Sequence, residues 1–197
     1  VGSSIEVIQG SLVLSNGRLM VHGAFHMATD TSLAGSINGG LVLNSTGDIS
    51  LVFSPGTAVL GALVVNQTTG NVTLSSNLLV NNMLDLQQGS LILNGFDLTV
   101  NGVIITSSGA SITGSVTSDL TLDGNGNCSL AFSPGSEVLQ SLVISQLNST
   151  VVLQSDLAVE NVISLLQGSL ALNDHNLSVN GTLNILAGAS ITGSSAS

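Results

Sequence analysis

The sequence has very few aromatic residues: four Phe, no Tyr and no Trp, which is 2% of its 197 residues. Its hydrophobic content is nevertheless 43%, supplied largely by Leu, Val and Ile. A globular core normally uses bulkier side chains as well. Short aliphatic side chains separated by Ser, Thr, Asn and Gly suit a narrow interior with short connections. The composition therefore favours a narrow, strand-rich fold.

Cysteine and proline are also scarce. Because Cys128 is the only cysteine, a disulfide within the chain is excluded. Its equivalent in an earlier copy of the internal repeat of this chain is Ile49, so we interpret it as a small apolar core residue. The two prolines, Pro55 and Pro134, are equivalent in the same way and stand in identical FSPG segments. Each is expected to stiffen a corner.

Positive charge is almost absent. Arg18 is the only Lys or Arg, against eleven acidic residues, and the formal net charge is −10. A field of this sign disfavours nucleic acid and anionic membrane surfaces as partners. No apolar run approaches the roughly 20 residues that a membrane-spanning helix needs. No segment is therefore predicted to insert into a membrane.

A repeat of about 79 residues organises the chain. The segment Gln167–Gly193 recurs almost unchanged at Gln88–Gly114, and a more diverged copy lies at Gln9–Gly35. The three copies align without a gap. We divide the chain into a partial repeat, 1–39, and two full repeats, 40–118 and 119–197, all within one continuous domain.

A shorter spacing of about 20 residues lies inside the long repeat. Every position of this series is apolar, and four steps make up one repeat. The series consists of Val1, Val21, Leu41, Leu60, Val80, Val100, Leu120, Leu139, Val159 and Val179. Such a period is typical of a solenoid, in which each turn, here called a coil, stacks on the next. We expect these residues to form one inward column.

Within each coil, apolar and polar residues alternate, as in Leu157, Ala158 and Val159. This is the period of a strand and not of a helix. Gly, Asn or Asp interrupts the pattern every six or seven residues, which predicts about three strands of three to five residues per coil. The predicted fold is a single all-β, right-handed parallel β-solenoid with about ten coils of about 20 residues and four coils per repeat.

A second apolar column begins at Ile5, four residues after the first. It is interrupted at Ser45 and Gly124, which are equivalent positions of successive repeats. One coil in four is therefore predicted to carry a polar, oxygen-rich loop. The candidate site residues of these loops are Asn44, Asp48, Asp123, Asn125 and Asn127.

Two interpretations of these loops stay open. Carboxylate and amide oxygens are suitable ligands for Ca²⁺ or a sugar. The order D-x-N-x-N begins at Asp123, but its sixth position is Cys128 instead of Gly and no Glu stands at the twelfth, so this is not an EF-hand loop. Tight turns also require Asn, Asp and Gly, and we favour turn chemistry. No other cofactor is predicted.

The sequence offers few candidates for a catalytic or metal site. With Arg18 as the only basic residue besides three histidines, a polysaccharide lyase is disfavoured, and we predict no enzyme. His22 and His26 are four residues apart with only Asp30 nearby, whereas zinc needs three or four ligands. An ice-binding face needs stacked outward Thr, which the sequence does not display. The acids that a carbohydrate-active enzyme would have to use fall mostly on turns: Asp97, Asp156, Glu160 and Asp174.

Two segments, Leu98–Gly114 and Leu177–Gly193, share L-x-V-N-G followed by G-A-S-I-T-G. This sequence motif resembles the β-helical repeats of long secreted surface proteins and adhesins of gliding and biofilm-forming bacteria, of the Bacteroidota type. The resemblance implies an extracellular, structural or adhesive stalk or filament segment. A glycan- or ice-binding solenoid and a carbohydrate-active β-helix enzyme are the alternatives.

The expected partners follow from the repeat. The chain begins at the phase of Val80 and stops at the phase of Ser118, and neither end carries a covering helix or a charged strand. Bare strand edges pair with other strands. We therefore expect further repeats of the same array or head-to-tail self-association, and surface glycans are the other candidate partner.

Overall fold

The computed structural model describes residues 4–193, and every regular element in this range is a β-strand. The strands of the N-terminal half are β1 Ile5–Val7, β2 Ser11–Val13, β3 Arg18–Val21, β4 Phe25–Met27, β5 Ser32–Ala34, β6 Ser36–Leu43, β7 Ile49–Leu51, β8 Val59–Leu74 and β9 Leu78–Ile92. The remaining strands are β10 Leu98–Val100, β11 Val103–Thr106, β12 Ala110–Thr113, β13 Ser115–Gly124, β14 Cys128–Leu130, β15 Val138–Leu153, β16 Leu157–Ala171, β17 Leu177–Val179, β18 Thr182–Ile185 and β19 Ser190–Thr192.

The pairing of these strands confirms the predicted all-β parallel solenoid. Every pairing between the strands of residues 4–193 is parallel. The chain makes about nine coils with a spacing of about 21 residues, so the coils are slightly fewer and slightly longer than expected. One sheet of 15 strands takes in β3 and most strands after it, while β1 pairs with β4 and β2 with β5.

The interior is a stack of aliphatic side chains. In β10, for example, Leu98 and Val100 are fully buried and Thr99 between them is only half-buried on the outer face. The same alternation recurs in each coil because successive side chains of a strand point to opposite faces. Burial of the inward set is the main term that stabilises the stack, at about 1.5–3 kcal/mol for each buried Leu, Val or Ile.

The series that was expected to form one inward column is buried but does not form one column. From Val21 to Val159 its members are at most 1% exposed; Val179 is half-buried in the last described coil, and Val1 lies outside the described residues. Val80 pairs with Val100, but the next partner of Val100 is Leu122, and Leu120 pairs with Leu98 instead. The column shifts by two residues because the chain takes two more residues to complete this coil than the expected series allows.

The number of coils in one repeat also differs from the expected four. The in-register series Leu98, Leu120, Leu142, Ile163 and Leu183 marks four complete coils. The residue one repeat after Leu98 is Leu177, which lies in β17, whereas Leu183 lies in the next strand, β18. Each coil has three sides, as formed for example by β10, β11 and β12. One repeat therefore ends one side short of four coils and spans about three and two-thirds coils. Equivalent residues of successive repeats consequently lie on different sides of the rod.

Several strands are much longer than the expected three to five residues. The four longest, β8, β9, β15 and β16, contain 15 or 16 residues. They continue around a corner, because the main-chain pairing with the neighbouring coil resumes after it. Between β8 and β9 the register shifts at this corner, between the pairs Asn66 with Gln88 and Asn71 with Ser90.

Candidate functional site

The five candidate loop residues lie on the outside of the rod. Asp48, Asp123, Asn125 and Asn127 are exposed, and Asn44 is half-buried. Because one repeat spans about three and two-thirds coils, the loop at residues 44–48 and the loop at residues 123–127 lie on different sides. The structure thus does not bring the two loops together into one site.

The first loop holds the next coil in place. The main-chain N–H of Asn71 donates a hydrogen bond of 2.9 Å to Asp48 Oδ1. Asn44 joins a ladder of side chains: its Nδ2 lies 3.3 Å from His22 Nδ1, and its Oδ1 accepts a hydrogen bond of 3.1 Å from Asn66 Nδ2. These oxygens therefore already have partners within the protein.

The second loop repeats one of these contacts. Asn127 is the equivalent of Asp48 in the next repeat, and its Oδ1 accepts a hydrogen bond of 2.9 Å from the main-chain N–H of Thr150. In both loops the donor belongs to the following coil. This shared geometry supports the interpretation of both loops as turns that fasten successive coils.

Within residues 4–193, the side chains of Asp123 and Asn125 form no hydrogen bond, and no group of three or more His, Cys, Asp or Glu residues is placed to hold a metal ion. Calcium usually takes six to eight oxygen ligands. Calcium binding at Asp123 and Asn125 stays a hypothesis.

Three of the four acids singled out as potential catalytic residues, Asp97, Asp156 and Glu160, accept hydrogen bonds from a neighbouring coil, here called clasps, and the fourth, Asp174, is exposed. Asp97 accepts hydrogen bonds from Asn77 Nδ2 at 2.9 Å and from the main-chain N–H of Asp119 at 3.1 Å. Asn180 Nδ2 donates to both carboxylate oxygens of Glu160 at 3.0 Å. Each bond joins neighbouring coils on the outer surface, which gives these acids a structural use.

Asp156 forms the most complete of these clasps. Its carboxylate accepts hydrogen bonds of 2.8 Å from the main-chain N–H of Asn176 and 3.1 Å from Asn176 Nδ2. These two bonds, in that order, and then the charge of His175, whose Nδ1 is 3.6 Å away, hold the pKa of Asp156 below its ordinary value. The Asp156 carboxylate is ionised at neutral pH, and its lowered pKa extends the ionised range to more acidic solution, so this clasp weakens only as the pH falls through that lowered pKa.

Two buried glutamines interrupt the aliphatic interior at the coils with the loops. Gln67 is 1% exposed, and Ser45 beside it is 3% exposed. The Ser45 hydroxyl donates to Gln67 Oε1 at 3.1 Å, and Gln67 Nε2 lies 3.0 Å from the same hydroxyl oxygen. Ser45 therefore points inward. Where the second apolar column was expected to be interrupted, the interior of the rod holds this hydrogen-bonded polar pair.

The equivalent position of the next repeat lacks this pair. Gln146 is fully buried, but Gly124 stands where the preceding repeat has Ser45. Gln146 Nε2 donates to the carbonyl oxygen of Gly102 at 3.3 Å, while Gln146 Oε1 accepts no hydrogen bond from any residue that the structure describes. A buried carbonyl oxygen without a donor is costly.

Cys128 lies next to this polar position and confirms its interpretation as a buried core residue. It is 2% exposed, and its Sγ accepts the main-chain N–H of Ile104 at 3.3 Å. Its thiol also lies 3.7 Å from the Gly102 carbonyl oxygen. Burial raises the pKa of the thiol, and the hydrogen bond from Ile104 offsets only part of this effect.

A groove around Arg18 is a surface feature that the sequence pattern does not predict. It has a volume of about 260 Å³ and crosses four coils, with Arg18, Gly40, Ala62 and Met83 in register along its floor. The one indication of this groove in the sequence is a difference between repeats, because Arg18 stands where the next two repeats have Asp97 and Asn176.

No family model, no curated protein and no solved structure matches this chain. Residues 4–193 include no helix with the length and apolar character needed to cross a bilayer.

The two glutamines provide a matched pair of substitutions. Replacing Gln67 by Leu leaves the Ser45 hydroxyl buried without its partner, and we expect it to lower the free energy of unfolding by about 1–2 kcal/mol. Replacing Gln146 by Leu removes an amide oxygen that has no hydrogen-bond donor. The Gly102 carbonyl oxygen loses the bond from Gln146 Nε2 but still has the Cys128 thiol as a donor. We expect this variant to gain about 1 kcal/mol. Urea unfolding of the two variants measures the difference, and an equal loss of stability in both would contradict this account.

Proposed function

We propose that this chain is a structural and adhesive segment of a stalk or filament on the outside of a bacterial cell. The observation that carries the proposal is the repetition of one coil-to-coil contact along the whole described rod. Each coil presents a parallel strand edge to the next, so such an array extends simply by adding coils. This property suits a spacer that holds its adhesive surface away from the cell.

The last described coil supports this proposal. Leu183 and Ile185 pair with inward residues of the preceding coil, yet they are 44% and 45% exposed. The residue equivalent to Leu183 in the preceding repeat, Ile104, is covered by a further coil and is 1% exposed. Among the described strands, β17, β18 and β19 pair only with β16. This edge offers main-chain groups and apolar surface to another coil.

Besides the contacts made by carboxylates, rows of neutral hydroxyl groups link successive coils on the outer surface. Ser32 Oγ lies 2.8 Å from Ser11 Oγ and 2.6 Å from Ser54 Oγ, on successive coils. The ladder recurs one repeat later, where Ser111 Oγ lies 2.8 Å from Ser90 Oγ and 2.7 Å from Ser133 Oγ. Contacts between neutral groups depend little on ionic strength, which is an advantage for a protein outside the cell.

End-to-end association tests the filament part of the proposal. We expect the 197-residue chain, prepared by itself, to form longer rods as its concentration rises, because the exposed edge of one molecule pairs with the first coil of another. Leu183→Asp should suppress this association by placing a charge on the contact, whereas Asn184→Asp, on the outer face of the same strand, should not. Sedimentation velocity measures the rod length, and circular dichroism verifies folding. Particles of constant size for both variants and the parent protein would argue against a filament.

Immunogold labelling of the source cells tests the location. An antibody against this chain should label intact cells on the outer surface, along extended structures, before any permeabilisation. The same antibody applied to permeabilised cells serves as the control for internal protein. Labelling that requires permeabilisation would contradict the proposed extracellular role.

A further inference from the structure

The groove around Arg18 lies where one stretch of the rod differs in charge from its equivalent one repeat later. The floor residues Arg18, Gly40, Ala62 and Met83 correspond, one repeat later, to Asp97, Asp119, Ser141 and Val162. In that later copy the main-chain N–H of Asp119 donates a hydrogen bond to the Asp97 carboxylate, so two acidic residues occupy this position and link adjacent coils. In the earlier copy both acids are gone and an open groove takes their place.

Glycine occurs in the groove for two different reasons. A Cβ at Gly39 would lie 2.7 Å from the carbonyl oxygen of Leu14, and one at Gly61 would lie 2.7 Å from that of Ile37. Close packing of the main chain therefore requires these two glycines. At Gly40 the nearest obstacle is the flexible Arg18 side chain, whose Cγ would be 3.2 Å away. The stem of Arg18 thus uses the space that a side chain at residue 40 would fill.

The guanidinium of Arg18 is free to bind a ligand. Arg18 is exposed, and within residues 4–193 it forms no ion pair and no side-chain hydrogen bond. It is also the only Lys or Arg of a chain with a net charge of −10. Among the described residues that line the groove there is no carboxylate. The one Lys or Arg side chain of the molecule is therefore held in a recess without a counter-ion from the described part of the chain.

The rim of the groove supplies neutral polar groups. Asn16, Asn38 and Asn82 line it and are exposed. An amide side chain both donates and accepts hydrogen bonds, which matches the hydroxyl groups of a sugar. Ala62 and Met83 add apolar surface to the floor, against which the C–H groups of a sugar ring can pack.

We propose that this groove binds an acidic sugar, with Arg18 pairing with its carboxylate and the three asparagines with its hydroxyls. A guanidinium binds a carboxylate through two parallel hydrogen bonds. The groove is smaller than the about 300–1,000 Å³ of sites for drug-sized ligands, which limits the ligand to one or two sugar units. The net negative charge repels a dense polyanion, so the ligand is an isolated uronic acid unit in a mainly neutral glycan.

The unique arginine makes the test direct. In a ¹⁵N-labelled sample of the full chain, Arg18 gives the only arginine Nε–H resonance. We expect methyl β-glucuronide to shift this resonance saturably, while methyl β-glucoside, acetate and inorganic phosphate bind at least about tenfold more weakly, because each of them offers only part of the contacts.

Three variants complete the experiment. Arg18→Gln removes the cation, and Gly40→Asp restores the acid that Asp119 provides one repeat later and pairs it with Arg18. Both should weaken glucuronide binding by about tenfold or more, measured by the shifts of the asparagine side-chain amides. Asp119→Asn, at the equivalent position one repeat later, should leave binding unchanged. Thermal unfolding verifies that each variant is folded.

Several results would overturn the proposal. One is equal affinity for glucuronide and phosphate, which would mean that the groove recognises charge alone. Another is an Arg18 shift that follows protein concentration without any sugar, which would mean that the guanidinium pairs with an acid of a second copy. Binding that survives both Arg18→Gln and Gly40→Asp would place the sugar elsewhere.

Discussion

The parallel main-chain ladder between successive coils is the constraint on which the rest of this structure depends. Each coil has to place its strands in register with those of its neighbours, and its inward side chains then fall into an interior too narrow for many aromatic residues. This accounts for the 2% aromatic content. It also explains why polar outer residues such as Asp48, Asn127 and Asp156 bind the neighbouring coil: their hydrogen bonds fix the distance and register that the ladder requires.

The same ladder determines on which side of the rod each surface feature lies. Because one repeat is about three and two-thirds coils, a feature that occurs once per repeat turns by about one side of the rod each time. Similar loops are therefore presented around the rod and not along one face. A side chain that changes between repeats also meets different neighbours. Gln67 has Ser45, whereas Gln146 faces Gly124 and keeps an oxygen without a donor. The groove at Arg18 likewise stands where the next repeat has the clasp at Asp97.

The sequence was sufficient for the fold class and for the inward residues, because alternation and a short, regular apolar period are direct consequences of strands in stacked coils. The register was not predictable from it. Leu120 and Leu122 are both apolar and both buried, so a pattern of hydrophobic residues allows Val100 to pair with either of them. The loop residues were found, but their hydrogen bonds to Asn71 and Thr150 depend on that register. In the sequence Arg18 is distinguished by its charge alone, since the groove around it is lined by glycines on three different coils.

Disulfide trapping measures the register directly. In a Cys128→Ala background, the pair Thr99→Cys and Thr121→Cys should form a disulfide, because these outward residues lie in register on adjacent strands with Cα atoms about 4.8 Å apart. The pair Thr99→Cys and Asp119→Cys should stay reduced, because a shift of two residues along the strand places its Cα atoms beyond the roughly 7 Å limit for a disulfide. Mass spectrometry after mild oxidation distinguishes the two. Cross-linking of Thr99→Cys with Asp119→Cys, and not with Thr121→Cys, would contradict the pairing of Leu98 with Leu120 and with it the spiral arrangement of the repeats.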